Sequence, residues 1–320
     1  MLSFILRRLF ISVPVFFLTT MLVFGLYAAS PGDPIVSIVG YDTWMKMAPE
    51  QKVKLNKQYG FDQPIPVRYV RWLYKAVQGD LGYPYRGSKS VVMHLSERIT
   101  PTLVLMGTSL VVSMMIGIPM GIYMALKPYT WGDYLITTFS FAQLAFPSFF
   151  VGLGMIYLFS LKLDIFPPFG MQRIGSPFSV IDRLQHIFMP AMVLGAFNAG
   201  ILARYARSGM LAEMRSPYIM VARAKGLKSS AVIIRHAFRN ALLPLITIIA
   251  LDLPHLLGGA VITEQIFQWP GMGMLTIRAT NVRDYPMLMG VLLISAVMVL
   301  ISSLVADVLY AVADPRVRVE

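Results

Sequence analysis

The sequence predicts an all-α, polytopic membrane protein with six transmembrane helices. Of its 320 residues, 56% are hydrophobic and 14% are charged, whereas soluble domains average about 25% charged residues. The apolar residues are concentrated in six nearly uncharged segments, each long enough to cross a bilayer, and the fourth is near the lower limit. Because backbone polar groups in hydrocarbon must bond to one another, each segment is predicted as a helix. The six segments are 9–29, 101–126, 134–161, 187–203, 240–263 and 285–306.

The first apolar segment is interpreted as a retained helix. Arg7 and Arg8 precede it and the small residues at 28–30 resemble a cleavage region, so a signal peptide is the alternative. The apolar run is longer than the ~7–15 residues of a typical signal peptide. Two prolines at 31–34 then end the helix.

The chain divides into three units. Residues 31–100 form the long polar stretch, where Pro49 and Gly60 delimit a short amphipathic helix and further glycines indicate turns. This stretch is therefore expected to fold as an extramembrane element rather than to act as a linker. The predicted units are residues 1–30 with the first span, the extracytoplasmic loop domain 31–100, and the core domain 101–320 with the loop 204–240.

The distribution of basic residues predicts the orientation. With the N-terminus inside, the inner segments carry 13 Lys and Arg residues and the short outer loops carry five. Cytoplasmic loops are richer in Lys and Arg, so both termini of this inner-membrane protein are expected in the cytoplasm. The net charge of +12 is assigned to these loops and to contacts with lipid headgroups. Nucleic acid is not expected as a partner, because no basic stretch has interleaved aromatic residues.

Signatures of covalent chemistry are missing from the sequence. There is no cysteine, no phosphate-binding Gly-Lys-Ser/Thr loop and no Gly-x-Ser-x-Gly elbow. The four histidines are too far apart in sequence for a close metal-ligand pattern. We therefore expect neither catalytic nor metal-binding residues nor a cofactor on this chain. The histidines are His94, His186, His236 and His255.

The segment between the fourth and fifth spans encodes a short, isolated helix. Ser216 is a favourable N-cap and Pro217 suits the first helical position. Gly226 supplies a left-handed residue at the end, and Lys225 lies at the negative pole of the helix. These signals predict a helix of about two to three turns. A second helical run at 231–243 follows, and Pro244 is expected to kink it.

Two interpretations of this short helix remain open from the residues alone. It can dock in a groove of a partner protein, with Ala222, Ala224 and Gly226 permitting close approach and Arg223 and Lys225 pairing with carboxylates. Alternatively, it can lie on the lipid headgroups, held there by its basic residues.

A few polar residues lie inside the predicted spans. Asp252 has His255 one helical turn later, which suggests either proton coupling or, as we favour, a structural pair or a pathway lining. Gln143 and Asn198 are candidates to line the same route or to make helix-packing contacts. Gly117 and Gly121 are expected to let two helices approach closely.

Two further patterns concern bends and turns. Prolines at 119, 147, 190, 244 and 254 predict broken or kinked helices. The stretch 264–273 predicts a re-entrant or interfacial turn, with Trp269 at the level of the headgroups.

An ordered set of motifs resembles the permeases of ABC importers. Residues 218–226 and 236–244 are similar to their cytoplasmic loop, and more narrowly to that of the dipeptide, oligopeptide and nickel branch of binding-protein-dependent permeases. The resemblance extends over nearly the whole chain. Its other motifs are Arg7-Arg8-Leu9, Pro31-Gly32-Asp33-Pro34, Tyr59-Gly60-Phe61-Asp62-Gln63-Pro64, Gly79-Asp80-Leu81-Gly82, the stretch 264–273 and Asp314-Pro315-Arg316.

The resemblance implies a type I ABC importer permease fold in which residues 217–226 form the coupling helix. The general family pattern has Glu-Ala-Ala where this chain has Met220, Val221 and Ala222, which puts a polar contact at position 220 in doubt. The implied coupling residues are Pro217, Tyr218, Met220, Val221, Ala222, Arg223, Ala224, Lys225 and Gly226, and the residues near the outer gate are Glu264, Gln265, Phe267 and Trp269.

The resemblance also implies partners and a substrate class. ATP and Mg would be bound by two ABC ATPase subunits, a second permease would complete the pathway, and an extracytoplasmic binding protein would deliver the solute. Peptides are the expected solute, with nickel or oligosaccharides as alternatives within the family. A proton-coupled secondary transporter using Asp252 is a further alternative, although no inverted repeats are evident. A membrane-embedded enzyme ranks last, because no nucleophile and base can be paired.

Overall fold

The computed structural model describes an all-helical chain. It covers residues 2–29, 34–85, 87–259 and 261–313, and the side chains of 2–6, 9, 144, 243, 251–259 and 310–313 are not described. Two π-helical segments, Ile156–Lys162 and Val232–Phe238, interrupt the α-helices. The helices are α1 (Leu2–Ala28), α2 (Pro34–Val39), α3 (Tyr41–Lys46), α4 (Pro49–Tyr59), α5 (Ile65–Val77), α6 (Val91–Leu126), α7 (Trp131–Ala145), α8 (Ser148–Met155), α9 (Val180–Met214), α10 (Pro217–Ala224), α11 (Ser229–Ala231), α12 (Arg239–Gly259), α13 (Val261–Ile266), α14 (Met272–Asn281) and α15 (Tyr285–Ala313).

Four helices are long and apolar enough to cross a membrane on their own. They are α1, α6, α9 and α15, and two bent helix pairs raise the number to six within the described residues if each pair is one span. The first pair, from Trp131 to Lys162, is bent by 104°, and the second, from Ser229 to Ala250, by 43°. The protein is therefore a multi-pass membrane protein.

Pro147 accounts for the break between α7 and α8. The residue before a proline is disfavoured in the helical region, and Phe146 is extended, with φ −95° and ψ 128°. The predicted break at Pro147 is therefore confirmed. Pro119 and Pro190 lie inside unbroken helices, which neighbouring helices and side chains permit in membrane proteins.

Two helices are longer than their apolar cores. The second predicted span begins at residue 101, but α6 begins at Val91, where Ser90 Oγ accepts a hydrogen bond from the Met93 amide at 3.3 Å. The proposed domain boundary at residue 100 thus falls within a helix. Similarly, α9 continues to Met214, well past the predicted end of the fourth span at 203.

The pair α6 and α9 forms the central scaffold of the bundle. A Cβ atom at Gly117 would lie 2.5 Å from the Ala199 carbonyl oxygen, and one at Gly121 would collide with Ala203 and Ala206. The prediction that these two glycines allow a close helix approach is confirmed. Around this pair, α12 packs on α9 and α15, α7 packs on α9, and α1 packs on α15.

The polar stretch between α1 and α6 folds against the bundle as four short helices. Gly60 ends α4 in the left-handed conformation, with φ +71°, as the sequence predicts. The Tyr69 hydroxyl of α5 lies 3.0 Å from Thr20 Oγ1 of α1. At the far end of the stretch, the Tyr85 amide donates to Asp284 Oδ2 at 3.1 Å, just before α15. Contacts with both α1 and α15 therefore fix this element.

Candidate functional site

Helix α10 begins where its sequence predicts. Ser216 has the extended conformation of an N-cap residue and Pro217 occupies the first helical position. The Ser216 hydroxyl does not accept a capping hydrogen bond; its Oγ donates to the Glu213 carbonyl oxygen at 2.6 Å. The serine therefore ties the start of α10 to the end of α9.

The end of α10 is closed by Gly226. Its φ of +75° places it in the left-handed region. The Gly226 amide donates to the Arg223 carbonyl at 2.9 Å and the Leu227 amide to the Ala222 carbonyl at 3.4 Å, the two bonds of a Schellman motif. The predicted self-terminated helix is thus present, with a length of eight residues.

The two faces of α10 have different environments. Ile219 is 0% exposed and Ala222 is buried beside it, so this face packs on the protein's own bundle. The small side chain of Ala222 therefore permits close packing within the chain. On the other face, Met220 is 62% exposed and Val221 is 54% exposed. The remaining predicted coupling residues, Pro217, Tyr218, Arg223, Ala224, Lys225 and Gly226, are also exposed.

Tyr218 clamps α10 to two long helices. Its hydroxyl donates to Glu213 Oε2 near the end of α9 and accepts a hydrogen bond from Asn240 Nδ2 of α12 at 2.8 Å. Partial burial and the bond to Glu213 raise the pKa of Tyr218, so it stays protonated as a donor. Tyr218 therefore links α10 to both α9 and α12.

A two-pronged ion pair lies near the same end of α9. Arg207 Nε and Nη2 donate to the two carboxylate oxygens of Asp133 at 2.9 and 2.7 Å, and the Tyr129 amide donates to Asp133 Oδ2 at 2.9 Å. The Asp133 side chain is only 3% exposed. Sequence reasoning did not pair these residues, because they are 74 positions apart and no local pattern joins them.

Glu264 is the centre of a buried polar cluster between α6, α13 and α14. It is 0% exposed, and its Oε1 accepts from Thr102 Oγ1 at 2.7 Å while its Oε2 accepts from the Met274 amide at 3.1 Å. A Cβ at Gly271 or Gly273 would press on this carboxylate. The two glycines of the 264–273 stretch therefore make room for an acid at the start of α14.

Trp269 and Phe267 anchor the same stretch. Trp269 is 1% exposed, and its Nε1 donates to the Pro101 carbonyl at 2.9 Å. The indole is therefore enclosed by the protein rather than exposed to lipid headgroups, while its level in the membrane stays a prediction. Phe267 is buried against α9 and Gln265 is exposed.

The structure describes the side chains of only some of the candidate pathway residues. Gln143 Oε1 is buried without a hydrogen-bond partner among the described residues, and it would lie 3.2 Å from a Cβ at Gly200 of α9. Asn198 is half-buried two positions earlier on α9. The side chains of Asp252 and His255 lie outside the described residues.

These features define a multi-pass membrane protein with a short helix clamped to two of its long helices. Family models identify it more closely: residues 117–319 match the binding-protein-dependent transport system inner membrane component, and residues 1–106 match the N-terminal part of such components. The chain belongs to this family of ABC importer permeases. Permeases of this kind work with ATPase subunits and a solute-binding protein.

Relatives and solved structures agree with this assignment. The chain is 40% identical to the oligopeptide transport system permease protein AppB of Bacillus subtilis over 99% of this chain and 100% of that protein. It is 33% identical to the glutathione transport system permease protein GsiC of Escherichia coli K12, over 99% of each chain. An inward-facing structure of the MetNI methionine ABC transporter superposes with a TM-score of 0.57 at 15% identity, covering 71% of this chain and 100% of that one. The last comparison concerns the fold alone.

Proposed function

We propose that this chain is a permease subunit that forms the translocation pathway of an ATP-driven peptide importer. The oligopeptide and glutathione permeases named above match it over nearly their whole lengths. Their names favour di- or oligopeptides over nickel or oligosaccharides. A binding protein outside the membrane would deliver the peptide, and the chain would act without catalytic residues of its own.

The proposed topology has six spans, with each bent helix pair counted as one. Both termini and α10 would be cytoplasmic, while the 31–100 domain and the α13–α14 hairpin would lie outside. The excess of Lys and Arg in the inner segments supports this orientation. A second, related permease would complete the pathway, and two ATPases binding ATP and Mg would drive the pair.

The proposal that ATPase movements are transmitted to the bundle through α10 is based on the two different faces of this helix. Its inner face is anchored by Ile219 and its outer face presents Met220 and Val221. A flexible, polarisable methionine adapts well to a partner groove, and an exposed apolar pair of this kind suits docking better than contact with water. ATPase closure would then push α10 and switch the bundle between inward-open and outward-open states.

Met220→Asp tests this proposal in the reconstituted complex. A buried interface anchor typically contributes at least ~2 kcal/mol, so peptide-stimulated ATP hydrolysis and uptake should fall about 30-fold. Met220→Leu keeps an apolar side chain and should retain activity. Ser230→Asp is the matched control, because it adds the same charge at an exposed position just past the helix.

The outcomes separate the competing mechanisms. Wild-type coupling in Met220→Asp, or an equal loss in Ser230→Asp, would show that α10 does not dock the ATPase. Peptide uptake that persists in the permease pair without ATPases, and that disappears in Asp252→Asn, would instead support proton coupling.

A further inference from the structure

A cavity of about 290 Å³ lies between α5, the end of α1 and the start of α15. We call it the cationic cavity. Its walls are largely aromatic, and Phe24, Phe61, Trp72 and Tyr285 are among them. None of its lining residues belongs to α10 or to the Glu264 cluster, so neither of those sites accounts for it.

Three cations of α5 line the cationic cavity: Arg68, Arg71 and Lys75. Their spacing of three and four residues places them on one helix face. Asp80 is the acidic residue among the described lining residues, and its Oδ1 already accepts from the Gly82 amide at 2.9 Å. The lining therefore has an excess of positive charge.

The cations have no carboxylate partner among the described residues. Arg68 lies 5.0 Å above the Phe61 ring, and burial lowers its pKa. The buried indole N–H of Trp72 also lacks a hydrogen-bond partner in the described part of the chain. An unpaired buried indole N–H is unfavourable. An anion in the cavity would satisfy it together with the half-buried Arg68 and the exposed Arg71 and Lys75.

Helix α5 has the pattern of a helix at a membrane interface. The Tyr69 hydroxyl reaches Thr20 and the Phe17 carbonyl oxygen of α1, and Phe24, nearer the end of α1, contacts the Tyr69 and Trp72 rings. Helix α5 thus lies beside the C-terminal half of the first span. Val70, Tyr74 and Val77 are exposed along another face. Apolar residues on one face and basic residues on another are typical of helices that lie between hydrocarbon and headgroups.

A second cavity, of about 390 Å³, lies on the same seam between α1 and α15 and is lined almost wholly by apolar side chains. We call it the apolar cavity. Met289 lines the cationic cavity, and Val297, Leu300 and Leu304 line the apolar one. Spacings of eight, three and four residues keep these side chains on one face of α15. Along α15, Val297 lies about 12 Å and Leu304 about 22 Å beyond Met289, and the hydrocarbon of one leaflet is ~15 Å deep. The near end of the apolar cavity, but not its far end, is therefore within the depth of one leaflet.

We propose that this seam binds one anionic phospholipid. Its phosphate would lie in the cationic cavity, bonded by Arg68, Arg71 and Lys75, and an acyl chain would follow α15 into the apolar cavity. A free phosphate would satisfy the cations alone and leave the apolar cavity unused. The lipid would join α5 to both α1 and α15. The proposal depends only on the fold and not on the transported solute.

Native mass spectrometry of the assembled complex, purified from nanodiscs of phosphatidylglycerol and phosphatidylethanolamine, tests the proposal. Each basic residue near a membrane contributes about fivefold to binding of an anionic lipid, so replacing Arg68, Arg71 and Lys75 together by alanine should weaken phosphatidylglycerol retention roughly 100-fold. The control removes the same charge from exposed positions of α3 and α4, as Lys46→Ala, Lys54→Ala and Lys57→Ala, and should retain the lipid.

Two further variants keep the test informative. Arg71→Gln changes an exposed residue and should weaken retention about fivefold even if the triple variant fails to fold. Leu300→Trp fills the apolar cavity and should also reduce retention. Unchanged retention in Arg71→Gln, equal loss in the lysine control, or displacement by inorganic phosphate with normal retention in Leu300→Trp would each overturn the proposal.

Discussion

Gly226 offers a test of backbone conformation, because an added side chain would meet nothing within this chain. Its φ is +75°, and a Cβ built there would meet nothing within 4 Å. A left-handed conformation costs other L-residues roughly 1–2 kcal/mol. For Gly226→Ala, the equilibrium between the closed and frayed helix end should therefore shift about 5- to 30-fold. Gly226→Val should destabilise the closed helix end more, because β-branched residues are strained at positive φ. Gly226→Asn should destabilise it least, since asparagine tolerates this region.

The assay is peptide-stimulated ATP hydrolysis and uptake by the complete complex in proteoliposomes. Activity should decrease in the order Gly, Asn, Ala, Val, while membrane insertion stays constant. Gly175→Val is the matched control, because Gly175 has φ +77° and equally open surroundings but lies between α8 and α9. The reasoning is refuted if Gly226→Val couples normally, or if Gly175→Val loses as much activity.

Three predictions concern the scaffold, each measured by thermal unfolding of the purified complex. Gly121→Ala should lower the free energy of unfolding by about 1–3 kcal/mol, because the added methyl group overpacks the α6–α9 contact. Gly107→Ala on the same helix meets open space and should leave the stability nearly unchanged. Asp133→Asn should cost about 3 kcal/mol because it leaves the Arg207 charge unpaired, and adding Arg207→Met should recover part of this loss. Burial raises the pKa of Asp284 above its ordinary 3.8, so its stabilising contribution is complete below pH 3.8 and is lost as the pH rises through the folded-state pKa. Asp284→Asn should remove this part of the pH dependence. Identical slopes of stability against pH in the wild-type protein and in Asp284→Asn would contradict the prediction.

The ends of α10 were predictable because capping is local. Pro217 and Gly226 impose backbone conformations that their immediate neighbours do not override. The same holds for the break at Pro147 and for the end of α4 at Gly60. A close helix approach at Gly117 and Gly121 was also predictable, because glycines four residues apart expose one strip of backbone, but the sequence did not identify α9 as the partner helix.

Contacts between distant segments were not predictable in this way. Nothing near Asp133 indicates Arg207, and nothing near Thr102 indicates Glu264. The location of Trp269 was predicted from the usual preference of tryptophan for interfaces, but its N–H finds a buried carbonyl at Pro101. Likewise, α6 starts ten residues before the predicted apolar run because Ser90 caps the helix there, and His94, Glu97 and Arg98 exclude these residues from an uncharged segment.

The contacts in the structure form a continuous mechanical connection from α10 to the Glu264 cluster. Tyr218 joins α10 to Glu213 at the end of α9. Helix α9, at 35 residues, is about 50 Å long, and its seam with α6 at Gly121 leaves no space for independent sliding. At the other end of α6, Thr102 bonds Glu264, whose carboxylate holds the start of α14. Packed interfaces switch between discrete arrangements rather than deform gradually. Under the coupling proposed above, we therefore expect a push on α10 to move α9 and α6 together, and this joint movement would carry the displacement across the bundle to the α13–α14 hairpin.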